Sequence, residues 1–123
     1  MAKGKPIGEF SFKLSTITCI PGPAGSVLNQ VVWEGTASGY GTVFTTLTFV
    51  GGPKSGTYSE CGTAFLENGD GFNGIGQGTY ESNGKNRWHT AGFMQISDGR
   101  RHASEGEIDL PSRSFKGTLF ETN

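Results

Sequence analysis

Long apolar runs are missing from this 123-residue chain, and no segment approaches the ~20 consecutive apolar residues of a membrane-spanning helix. Helical periodicity is missing as well, so helix is expected to be marginal. No charge of one sign dominates: ten basic and eleven acidic residues are mixed along the chain, for a formal net charge of −1. Nucleic acid and anionic membrane surfaces both demand a basic face and are not expected as partners. Cysteine is scarce. Cys19 and Cys61 could pair, but strand parity places them on opposite faces of the sheet, and the start MAKGKPIGEF lacks the apolar run of a signal peptide, so two reduced thiols and a cytoplasmic location are expected.

What the chain does have is glycine, 21 residues of it, with only 33% hydrophobic residues and turn-forming pairs at short intervals. That is the composition of an all-β protein, and the length suits one domain over residues 1–123. Ser38-Gly39, Asn68-Gly69, Asn83-Gly84 and Asp98-Gly99, with loops at Pro21–Gly25, Gly51–Lys54 and Leu110–Arg113, cut it into eight strands of an antiparallel meander. Closure into a small β-barrel removes both open edges and leaves an interior wide enough for one small ligand.

If each Gly-containing pair is a two-residue turn, register propagates along the meander. One face then collects Phe10, Phe12, Leu14, Val27, Val31, Trp33, Phe44, Phe65, Phe72, Phe93, Ile108, Phe115 and Leu119. The other carries Glu9, Lys13, Glu34, Glu60, Glu81, Arg101, Glu105, Glu107 and Lys116, and must face water. This register also turns Val43, Leu47, Phe49, Tyr58, Ile75, Trp88, Met94 and Ile96 outward, and an apolar patch of that size predicts a homo-oligomer.

The strand from Phe72 to Tyr80 places Gly74, Gly76 and Gly78 on the inner face, where either bulky neighbours fill the space or a cavity remains. The triplet does not form a dinucleotide loop, because a strand and hairpin follow it rather than a helix. His89 is predicted inward beside Gly78, as a core histidine or as an acid–base group. Cys61 is predicted inward as a small hydrophobe, and Asn29, Tyr80 and Arg87 as the polar groups of one mouth, with Trp33, Phe44, Phe72 and Phe93 as walls. Tyr40 and Gln95 belong to the opposite mouth, with His102 on its rim. No metal-ligand spacing or phosphate loop occurs, so neither metal nor cofactor is expected.

The segments IGEFSF, VVWEGTASGYGTVFTTLTF, GGPKSGTYSECGTAFLENGDGFNGIGQGTY and FKGTLFE resemble small bacterial barrels of the allene oxide cyclase barrel-like fold. The resemblance covers most of the chain through strand length and glycine spacing. It implies an apolar interior and oligomeric assembly, and for some members cyclisation of unsaturated lipids or polyketides. Their glutamate and proline pair has no counterpart here, since Glu9 is read as outward and Pro21 and Pro23 as loop residues. Three expectations follow: a barrel enclosing a small apolar molecule, a cyclase or isomerase of the same architecture with His89 as acid or base, and a solid barrel acting as an assembly module.

Overall fold

The computed structural model describes residues 3–122. Eight antiparallel strands form a closed barrel in sequence order: β1 (Lys3–Pro21), β2 (Val27–Ala37), β3 (Gly41–Gly51), β4 (Ser55–Phe65), β5 (Gly71–Ser82), β6 (Arg87–Ile96), β7 (Arg101–Asp109) and β8 (Ser114–Thr122). β1 pairs with β8, so the meander has no free edge to template aggregation. A single 3-10 turn at Pro23–Gly25 is the only helical element among the described residues. None of them lies in a helix long and apolar enough to cross a membrane.

The turn chemistry sets the register, and it differs from two-residue turns. Leu66 and Asp70 close a loop of Glu67, Asn68 and Gly69, through Leu66 N–H donating to Asp70 O at 2.9 Å. Ile96 and Arg100 close an equivalent loop over 97–99, at 2.8 Å. Gly69 and Gly99 take the third loop position with φ of 94° and 98°, the left-handed residue of a three-residue hairpin. Asn86 does the same work at φ 55° between Asn83 and Arg87. Ala37 and Gly41 bracket a further three-residue loop at Ser38–Tyr40.

Each added loop residue inverts the inward set of the following strand, because side chains alternate with period two. Through the 38–40 loop, Trp33 pairs with Thr45 rather than Phe44, and Val31 with Leu47. Val43, Thr45, Leu47 and Phe49 therefore face inward on β3. On β4 the inward set is Tyr58, Glu60, Gly62 and Ala64. The 67–69 loop returns β5 to the expected parity, with Phe72 opposite Ala64. The next loop inverts β6, turning Trp88, Thr90, Gly92, Met94 and Ile96 inward, and the 97–99 loop restores β7.

The outward patch predicted from Val43, Leu47, Phe49, Tyr58, Trp88, Met94 and Ile96 is thus interior. Leu47 is completely buried and Tyr58 4% exposed; of that set only Ile75 is outward, at 66% exposure. Phe44, Phe65 and Phe93, expected inside, lie on the outer surface instead, and Val27 is exposed.

The core is concentrated midway along the barrel. Phe10, Phe12 and Phe115 pack ring against ring with centroids 5.0–6.0 Å apart, and Trp33 joins Phe115 at 5.4 Å. Trp33, Leu47 and Thr90 are the largest fully buried side chains. The glycines of β5 make room for neighbours rather than a central void. A Cβ on Gly78 would stand 2.5 Å from the Tyr58 hydroxyl, one on Gly92 2.4 Å from it, and one on Gly76 2.4 Å from the Met94 sulfur. These separations are far inside contact distance, so Tyr58 and Met94 occupy the space the missing side chains leave.

Candidate functional site

Two cavities lie at opposite ends of this filled middle, and no residue lines both. The first, of about 90 Å³, lies toward the end that carries the 38–40 and 97–99 loops. Its walls are mainly apolar, including Phe10, Phe12, Val43, Phe72, Met94, Ile96 and Leu119. Into this setting β4 sends a carboxylic acid.

Glu60 faces Gly76 across the β4–β5 ladder and Leu47 across the β3–β4 ladder, so no basic side chain stands opposite it in either direction. Thr45, fixed on β3 and only 2% exposed, donates its hydroxyl to Glu60 Oε2 at 2.7 Å. The carboxyl touches cavity space yet lies deep within the barrel. Burial penalises its charged form and raises its pKa, the Thr45 hydrogen bond offsets part of that, and the result is pushed up to about 7. Glu60 is therefore poised to hold or release a proton near neutrality.

Tyr58 lies one inward position away on the same strand. Burial, followed by the field of Glu60, drives its phenol well above the usual tyrosine range, although a hydrogen bond with Ser104 opposes this. The phenol stays neutral. On β7, His102 is 6% exposed, and its Nε2 shares a short hydrogen bond with the Tyr40 hydroxyl. Burial and the nearby Arg100 lower the His102 pKa, so the ring is neutral at pH 7, and its buried Nδ1 has no hydrogen-bond partner. Arg100 lies over the Tyr40 and Phe72 rings at 4.2 and 5.1 Å, held there by Asp98 Oδ2 at 2.7 Å. A cation stacked across two aromatic faces thus overlies this mouth.

The residues expected to form one site are dispersed. Phe72 lines the Glu60 cavity, whereas Asn29, Trp33 and Tyr80 line the cavity at the opposite end. Phe44 and Phe93 are outward at 42% and 37% exposure, and Cys61 is an exposed free thiol, because β3, β4 and β6 are each inverted by their loops. His89 also lies outside the barrel, where its Nδ1 is 2.9 Å from Glu107 Oε1 and its Nε2 3.8 Å from Glu105 Oε1. It cannot act on anything within the barrel. Arg87 is exposed and pairs with Asp109 at 3.6 Å. Gln95 points outward too, while Tyr40 does join the expected mouth and His102 is a buried member of it rather than a rim residue.

Glu60 itself was assigned to the solvated face by the charge-segregation argument, which has no means of recognising a carboxyl kept inside. The surroundings carried little signal: of the inward set Tyr58, Glu60, Gly62 and Ala64 only Tyr58 is large and apolar, and the outward set of Ser59, Cys61, Thr63 and Phe65 has a large apolar member of its own. Among the described residues, no group of three or more His, Cys, Asp or Glu side chains is arranged to hold a metal ion. Compared with protein-family models, curated proteins and solved structures, the chain matches none.

Proposed function

We propose that the barrel binds a small, largely apolar molecule carrying one hydrogen-bonding polar group, seated in the cavity around Glu60. The observation that carries this reading is a carboxyl held inside a mainly apolar cavity with the Thr45 hydroxyl as its hydrogen-bond donor. Buried ionisable groups cost stability and concentrate at functional sites. At about 90 Å³ the cavity is smaller than one that admits benzene, of about 150 Å³. It suits the head of a ligand whose remainder lies against Phe72, Tyr40 and Arg100 at the mouth. Protonated Glu60 would donate to a carbonyl or hydroxyl oxygen.

The test is native mass spectrometry of freshly purified protein, followed by extraction of any retained molecule. A retained apolar species lost in Glu60→Gln or Ala64→Phe supports the reading, and equal retention by both variants overturns it.

A second reading keeps the architecture and adds chemistry: an isomerase or cyclase of an unsaturated lipid- or polyketide-like substrate, in the manner that the allene oxide cyclase-like resemblance implies. The near-neutral acid favours Glu60 over His89 as its proton donor or acceptor. Turnover of a candidate polyene that disappears in Glu60→Gln while binding persists distinguishes catalysis from binding.

A cytoplasmic setting belongs to the same proposal, supported by two unpaired exposed thiols and by charged outward residues on β1, β2, β7 and β8. So does self-association, now through the outward face of β3–β6, where Phe44, Phe65, Ile75 and Phe93 are exposed. The outward positions of β3 and β4 carry no charged residue to oppose a second copy of the chain. Sedimentation that shows a dimer or larger species, reduced to monomer by Ile75→Lys, supports this arrangement.

A further inference from the structure

The carboxyl of Glu60 has one oxygen served and one free. Oε2 accepts from the Thr45 hydroxyl at 2.7 Å, whereas Oε1 accepts no hydrogen bond among the described residues. That oxygen is not sealed in the packing: the fully enclosed side-chain atoms without a partner are Trp33 Nε1 and His102 Nδ1, and Glu60 Oε1 is not one of them. It therefore opens onto the cavity that Glu60 lines.

Nothing basic waits for it there. No lysine or arginine lines the cavity, and Leu47 and Gly76 stand opposite Glu60 on β3 and β5. β7 contributes His102, which is neutral at pH 7, and Ser104; the 38–40 loop contributes Tyr40, and Tyr58 sits one inward position along β4. Arg100 above the mouth is bonded to Asp98, so its charge is already offset. The walls include the rings of Phe10, Phe12, Phe72 and Phe115. Ring faces attract cations, and an ionised carboxyl in an apolar enclosure lacks the hydration that a cation would replace.

Resting on the reading of this cavity as a ligand site, we propose that the polar group it receives is an aliphatic amine bound as its ammonium ion, with Glu60 as counter-ion and the aromatic rings around the alkyl part. An anion would meet an unpaired carboxylate. A ketone can bond only to the protonated acid and leaves the ionised one without a partner. An ammonium group brings three donors, for which Glu60 Oε1 and the hydroxyls of Thr63 and Ser104 on the same lining are acceptors. A divalent metal ion is poorly served, since Glu60 is the one carboxylate among the lining residues. The space of about 90 Å³ suits an ammonium head on a short alkyl chain.

The experiment titrates butan-2-amine and, separately, butanone, which has the same carbon skeleton, into the full-length protein at constant ionic strength, following the Glu60 carboxyl carbon by NMR. The amine is charged throughout pH 5–8, because aliphatic ammonium groups release their proton at about pH 10. It favours the ionised acid, so a saturating amount should lower the Glu60 midpoint. Its affinity should weaken from pH 8 to pH 5 by up to about a hundredfold, the ratio set by a ligand-free pKa of about 7. Butanone accepts only from the protonated acid and should raise the midpoint. Over this range Arg100 and Asp98 keep their charges and Tyr40 and Tyr58 stay neutral, which leaves His102, whose proton uptake lies below pH 6.5, as the other titrating group that faces the cavity. The pH dependence should therefore persist in His102→Gln, while Glu60→Gln should lose the amine. Butanone that binds where the amine does not overturns the ammonium assignment and leaves the cavity reading in place; saturable binding of neither at millimolar amounts overturns both. An amine held equally at pH 5 and pH 8, or equally by Glu60→Gln, overturns Glu60 as its counter-ion.

Discussion

Thr45 Oγ1 donates a 2.7 Å hydrogen bond to Glu60 Oε2 inside an otherwise apolar end of the barrel. The pair is diagonal across β3 and β4, since Thr45 stands opposite Gly62 and Glu60 opposite Leu47. One hydroxyl gives the ionised carboxyl a partner but is too little to replace its hydration, so the acid's pKa remains above the ordinary value.

Glu60 should cost stability as pH rises. Its folded pKa of about 7 exceeds the ordinary value of 4.5, so the folded chain binds the proton more tightly than the unfolded one. Stability is best preserved below pH 4.5, declines between 4.5 and 7, and levels off above, with a total loss on the order of 3 kcal/mol. Glu60→Gln should match the parent near pH 4 and exceed it by roughly that amount at pH 8, as read by urea denaturation at the two pH values.

Thr45→Val removes the interaction that favours the charged form. The Glu60 pKa should move further up, and a carboxyl-carbon NMR titration should show its midpoint above that of the parent.

His102 has the opposite dependence. Burial depresses its folded pKa below the ordinary 6.5, so the unfolded chain takes up the proton first as pH falls, and stability is lost below about 6.5. His102→Gln, whose amide can still bond the Tyr40 hydroxyl, should flatten the acidic side of the stability profile and leave the Glu60 loss above pH 4.5 in place.

Gly92→Ala drives a methyl into the Tyr58 hydroxyl, which stands 2.4 Å from the position of the new Cβ. Overpacking of this kind costs roughly 1–3 kcal/mol. Calorimetry should show a lowered Tm, and Tyr58→Phe in the same chain should recover part of it by removing the clashing oxygen.

Cys61 should react with a thiol reagent in the native protein without denaturant, since it is exposed on the outer surface of β4. Slow labelling at that position, tracking global unfolding, would indicate the inward register that the three-residue loops exclude.

Barrel closure, strand number and the inward sets of β2, β5, β7 and β8 were legible because alternation and turn composition agree there. The sites were less legible because parity depends on counting loop residues, and Asn-Gly or Asp-Gly serves two- and three-residue loops alike. Miscounts at 38–40 and 67–69 inverted β3 and β4 together and then cancelled, while those at 84–86 and 97–99 inverted β6 alone. The large apolar patch that this put on the surface was itself the sign of the slip: Leu47, Tyr58, Trp88 and Met94 were core residues viewed from the wrong side. Glu60 stayed hidden for another reason. Alternation sorts carboxylates outward, and a site that keeps one inside departs from that pattern.

No residue lines both cavities, and the fully buried Leu47 and Thr90 line neither, so the interior is two cups rather than one tube. A guest bound beside Glu60, as proposed above, would have to leave by the door it entered. Transfer of a molecule from one rim to the other through the interior is therefore not open to this fold, and residues in either cup are free to change their chemistry without rebuilding the other.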